Sequence, residues 1–160
     1  MNIVHLHLLL NHAPVVGSVV ALVLFAATFY KDSVSTRFAL WFAVGLGAVA
    51  LAVYLTGEPA ADTLEKVVGI AERDIERHEE AAELATIVAG SFGALALIGL
   101  FLFRRRQIPR WVGVAGVVAM VFLTGTMAWT ANLGGQIRHS EIRSGNLPAT
   151  SRSAEHESEQ

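Results

Sequence analysis

Four stretches of the chain are each close to the length of about 20 apolar residues that a bilayer core demands of a spanning helix. They cover residues 13–30, 38–56, 81–103 and 111–131; the first, second and fourth hold no charged residue and the third holds only Glu83. A soluble domain can bury one such helix at its centre, but four in 160 residues leave nothing to surround them. Composition agrees, with 53% hydrophobic and 16% charged residues and a mean hydropathy of +0.49. Soluble domains carry about 25% charged residues. The expected fold is all-α, an integral membrane four-helix bundle. Short links between consecutive spans make neighbouring helices antiparallel.

Charge sets the expected orientation. The two short links, 31–37 and 104–110, hold Lys31, Arg37, Arg104, Arg105, Arg106 and Arg110 against one acid, Asp32. On the other side the remaining six basic residues are dispersed among thirteen acids. Basic residues concentrated in short loops mark the cytoplasmic face. Both termini and the long 57–80 link are therefore expected outside. Trp111, Trp129, Tyr30 and Tyr54 stand at span ends, where amphipathic rings anchor helices at the membrane–water interface. Gly45, Gly47, Gly90, Gly93, Gly113 and Gly116 lie within spans, where small residues permit close helix contact in lipid. No basic region precedes the first span and no clear cleavage site follows it, so it reads as a retained helix, not a signal peptide.

The polar segments carry their own patterns. Asp62-Thr63-Leu64-Glu65 has the form of a capping box, which predicts a helix start. From there Leu64, Val67, Val68, Ala71, Ile75, His78 and Ala82 form an apolar stripe, and Glu72, Glu76, Glu79 and Glu83 an acidic one. This spacing predicts an amphipathic extracytoplasmic helix that extends the third span, its apolar face packed and its acids in water. Gly134-Gly135 is expected to end the fourth helix. Residues 144–160 are polar and rich in Ser and Glu, a composition that does not bury apolar surface and is expected to be a disordered tail.

The chain has no cysteine, which excludes disulfides, iron–sulfur clusters, thiolate metal sites and covalent c-type haem. Its net charge of −2 argues against nucleic acid as a partner. It has six histidines, His5, His7, His12, His78, His139 and His156. In the four-span topology all fall on the extracytoplasmic side. His5 and His12 are seven apart and share a face if this segment is helical. His12, His78 and His139 flank the first, third and fourth spans at the same bundle end. Imidazoles gathered there ligate haem iron or a transition metal, and Glu79 is a further candidate metal ligand. His7 reads as an interfacial residue and His156 as part of the tail. No HExxH or other specific metal signature is present.

The segment Leu6-His7-Leu8-Leu9-Leu10-Asn11-His12-Ala13-Pro14, with Leu133-Gly134-Gly135 after the last span, resembles a family of predicted four-span bacterial membrane proteins of unknown function. His12-Ala13-Pro14 departs from the aromatic-Pro form common in that family. The resemblance implies a membrane bundle with an extracytoplasmic histidine cluster.

The resulting expectation is a bacterial inner-membrane protein that holds a b-type haem or redox metal through His12, His78, His139 and His5. Its role would be to exchange electrons with a respiratory or other membrane complex. The alternative is a cofactor-free structural or assembly subunit. A transporter is disfavoured because the span interiors lack the ionisable groups that such paths use. Nor does the sequence place a base near Ser91, Thr124, Thr126 or Thr130, which disfavours hydrolytic chemistry. Reporter fusions at Arg106 and after Arg143 should report opposite compartments, with Arg106 inside; an outside signal at Arg106 reverses the orientation.

Overall fold

A computed structural model describes residues 3–29, 33–64 and 72–138. These form α1 (Ile3–Leu10), α2 (His12–Ala27), α3 (Ser33–Leu64), α4 (Glu72–Leu102) and α5 (Arg110–Arg138). Asn11 between α1 and α2 keeps right-handed helical dihedrals, and its N–H donates to His7 O at 2.8 Å. The first two helices are thus nearly one. Helices α2 to α5 pack in a ring, each against its chain neighbours, and α5 closes on α2, while α1 lies chiefly against α3.

Four of these segments, 7–27, 35–57, 73–102 and 110–137, are long and apolar enough to cross a membrane, and they embed the protein there. The side-chain sorting fits a lipid solvent. Large apolar groups such as Val16, Trp41, Leu55, Ile87, Phe101, Val118 and Phe122 face outward. The interior is instead rich in alanine: Ala21, Ala39, Ala43, Ala50, Ala85, Ala89 and Ala96 are buried with Phe25, Met120 and Leu123. In lipid no hydrophobic gain separates inside from outside, so the interior is chosen for close backbone approach.

Glycines mark where the helices approach most closely. A Cβ on Gly47 of α3 would lie 2.9 Å from Ala89 O of α4, and one on Gly93 would lie 3.3 Å from Ala43 O. Pairing 47 with 89 and 43 with 93 makes α3 and α4 antiparallel. Gly116 and Gly113 of α5 face Phe25 and Thr28 of α2, and Gly17 of α2 faces Leu46 of α3. The two contacts of α5 are in antiparallel order as well.

Two sequence expectations change. Asp62 does not start a helix: α3 continues past the apolar segment to Leu64. Gly57 remains helical, and Pro59, which supplies no N–H to the ladder, does not end it. Gly134-Gly135 does not end α5, which runs on to Arg138; glycine permits termination but does not compel it. The helix into the third span begins at Glu72 and is continuous with it. Its expected faces hold where described: Ile75 is 3% exposed and His78 and Ala82 are half-buried, whereas Glu76, Glu79 and Glu83 are exposed. Tyr54, Trp111 and Trp129 are exposed at the bundle periphery. Tyr30, Lys31, Val67, Val68, Ala71 and the 144–160 tail lie outside the described residues.

The opposite end is closed by Arg37 near the start of α3. Its guanidinium donates to Phe103 O at 2.5 Å and to Arg106 O at 2.7 Å. It thereby adds a second bond to the Phe103 carbonyl, which already accepts Arg106 N–H at 3.1 Å, and ties down the Arg106 carbonyl beyond the C-terminus of α4.

Gly47→Ala should destabilise the bundle by about 1–3 kcal/mol, because the carbonyl it meets belongs to a packed backbone and has little room to yield. Gly45, with nothing within 4 Å of its Cβ position, should accept alanine with no loss. Denaturant titration of both variants in detergent micelles checks the contrast; equal behaviour removes the close-approach explanation.

Candidate functional site

The histidine end of the bundle is built by the start of α1, the end of α3, the start of α4 and the end of α5. Two imidazoles enter it. His7 Nδ1 stands 3.1 Å from Thr56 Oγ1. The Thr56 hydroxyl donates its one proton to Val53 O at 2.7 Å, so the imidazole must donate in the first bond. His7 therefore carries its proton on Nδ1. On α4, His78 Nδ1 lies 3.1 Å from Thr130 O of α5; a carbonyl only accepts, so His78 is also protonated on Nδ1. In the neutral form of either ring Nε2 then keeps its lone pair. A ring whose Nδ1–H is committed to oxygen presents Nε2 in a fixed orientation, which is how proteins prepare imidazole ligands.

His7 on α1 and His78 on α4 belong to the same end of the bundle. Each ring rests over a glycine. His7 Cε1 is 3.5 Å from where a Cβ on Gly57 would stand, and His78 Cε1 is 3.0 Å from that position on Gly134. The second distance is too short for an undisturbed Cβ, so glycine at 134 is what lets the ring lie against α5. Thr130 reinforces the same junction: its hydroxyl approaches Ala81 O at 3.1 Å and Thr126 O at 3.0 Å. Helices α4 and α5 are thus joined beside His78 through backbone oxygen, side-chain hydroxyl and imidazole.

The other sequence candidates are arranged differently. His5 and His12 are exposed, and His12 Nδ1 is 3.3 Å from Leu8 O of its own helical segment. They do share a face, as their spacing implies, but a further step of seven reaches Val19, which points outward at 47% exposure. The inward face runs through His7, Pro14 and Ala21, the last two buried. That register was the signal for His7: it stands seven residues before Pro14 and fourteen before Ala21. Glu79 is exposed. His139, Glu141 and His156 lie outside the described residues. Among the described residues no three His, Asp or Glu side chains come close enough to share a metal ion.

The donor set described is therefore two imidazoles. Two imidazoles are as many as a haem iron takes and fewer ligands than a closed four-coordinate zinc site needs. Two outer grooves, between α3 and α4 and between α2 and α3, are lined by neither histidine. Comparison with family models, with curated proteins and with solved structures yields no match. The likeness to four-span bacterial proteins rests on the short motifs alone.

Histidine-selective 15N NMR should report His7 and His78 as Nδ1–H tautomers. Gly134→Val should displace the His78 ring and shift its signals, whereas Gly125→Ala, at a position with nothing within 4 Å, should leave them in place. An Nε2–H signal for His78 in the parent protein contradicts the geometry.

Proposed function

We propose that the protein is a small bacterial inner-membrane protein that binds a b-type haem or a transition metal ion at the histidine end of its bundle and serves in electron transfer. The observation that carries this reading is the bond from His78 Nδ1 to Thr130 O, which orients Nε2 and, in the neutral ring, leaves it the free donor atom. His78 is the anchoring ligand and His7 a second imidazole at the same bundle end. His12, His139 and His5 are the remaining candidate ligands from the sequence, and Glu79 a further one for a metal ion. When bound, such a group supplies a one-electron couple. The chain supplies oriented nitrogens and a low-dielectric bundle end. With the arginine-rich links inside, this end faces outward, toward extracytoplasmic domains of a larger membrane complex.

A second reading is favoured by a separate observation. The groove between α3 and α4 is paved with small residues, including Gly47, Ala48, Gly90 and Ala94, and small residues are what a further membrane helix packs against. On that reading the protein is a cofactor-free assembly subunit.

Purified protein should show a Soret band with a reduced-minus-oxidised difference, or a stoichiometric metal by elemental analysis. His78→Ala should abolish it and His7→Ala should reduce it, while His156→Ala changes nothing. Absence of both haem and metal from protein purified in mild detergent would falsify the cofactor reading and leave the assembly subunit.

A further inference from the structure

The end of the bundle opposite the histidines presents a second chemical surface. Arg104, Arg105, Arg106 and Arg110 are exposed on the turn from α4 to α5. From Leu84 to Arg138 the sequence has no Asp or Glu, and neither has the 33–57 segment that packs beside it. In the neighbouring link Lys31 and Asp32 offset one another. Arg37 is committed to the carbonyls of Phe103 and Arg106. Among the described residues, the four exposed guanidiniums therefore form a positive field with no carboxylate at this end of the bundle.

That field sits on a fixed support. Ile108 is 7% exposed and plugs the turn into the core, and the two Arg37 bonds hold its backbone from the other side. Phe103 and Trp111 meet edge to face at 6.4 Å across the turn. The guanidinium of Arg104 lies 4.5 Å over the ring of Phe101, and Phe101, Leu102 and Trp111 are themselves exposed apolar groups at the same level. Cation and apolar surface thus share one height on the bundle, the height at which acyl chains give way to headgroups.

We propose that this turn is a binding surface for anionic phospholipid, with the arginines on headgroup phosphates and Phe101, Leu102 and Trp111 against the upper acyl chains. Charge complementarity favours an anionic over a zwitterionic headgroup, and the apolar collar selects a lipid over a free anion. Guanidinium forms paired hydrogen bonds to phosphate oxygens, so a fixed turn with four of them attracts more than its net charge alone.

Trp111 provides the reporter. In a Trp41→Phe/Trp129→Phe background it is the only tryptophan, and brominated lipid quenches it on contact. Full-length protein reconstituted at low salt should prefer brominated phosphatidylglycerol to brominated phosphatidylcholine by about fivefold, the attraction expected of one basic residue at a charged surface. The preference should fall toward one at high salt and in the Arg104→Gln/Arg105→Gln/Arg106→Gln/Arg110→Gln variant. Trp129, isolated in a Trp41→Phe/Trp111→Phe background, reports the other end and should show none. Inorganic phosphate at matched ionic strength should leave the preference intact. Equal quenching by the two lipids overturns the proposal and leaves the turn to an acidic soluble partner. A preference that survives the fourfold variant, or appears equally at Trp129, overturns it as well, and displacement by inorganic phosphate assigns the turn to a free anion.

Discussion

The backbone contact between α3 and α4 organises the rest of this molecule. Ala39, Ala43 and Gly47 step along one helix at intervals of four, and Ala85, Ala89 and Gly93 step along the other. At the crossing, Gly47 and Gly93 face each other with carbonyl oxygens of the opposite helix beside them. In lipid such a contact replaces the hydrophobic core of a soluble protein, because dispersion between closely apposed helices is the attraction that remains. Once that crossing is set, the antiparallel register of α3 and α4 decides what meets at either end. Arg37 falls beside the carbonyls at the end of α4, and the Thr56 turn of α3 comes to the end of the bundle where α4 starts.

The two ends then differ in how they satisfy polar groups. At the arginine end a side chain binds two backbone carbonyls of the turn that follows α4. At the histidine end the bonds run between helices through threonine. Thr56 returns its proton to Val53 O and receives the His7 N–H, while Thr130 offers its carbonyl to His78 and its hydroxyl to Ala81 O. Each bond fixes a ring orientation as well as a helix contact. The chemistry available at this end is therefore a by-product of how α1, α3, α4 and α5 are held together.

What the amino-acid sequence determined by itself is the solvent and the architecture. Charge-free segments of bilayer length require helices, since backbone N–H and C=O groups in hydrocarbon must pair within their own segment. The inward Ile75 face and outward Glu76, Glu79 and Glu83 of α4 were equally legible, because a period of 3.6 acts within one helix. Helix ends were less so. Gly134-Gly135 and Asp62-Thr63 have terminating or capping chemistry in water, yet both stay within helices. A glycine stops a helix only if its backbone leaves the helical region, and at Gly134 the neighbouring His78 ring makes use of the missing Cβ instead. That His7, and not His5 or His12, turns inward was decided by tertiary structure alone. Spacing showed that His5 and His12 share a face, but which face of α1 and α2 turns inward depends on how Gly17 seats against Leu46 and Phe25 against Gly116. Those contacts join residues far apart in the chain, and no periodicity within a single helix encodes them.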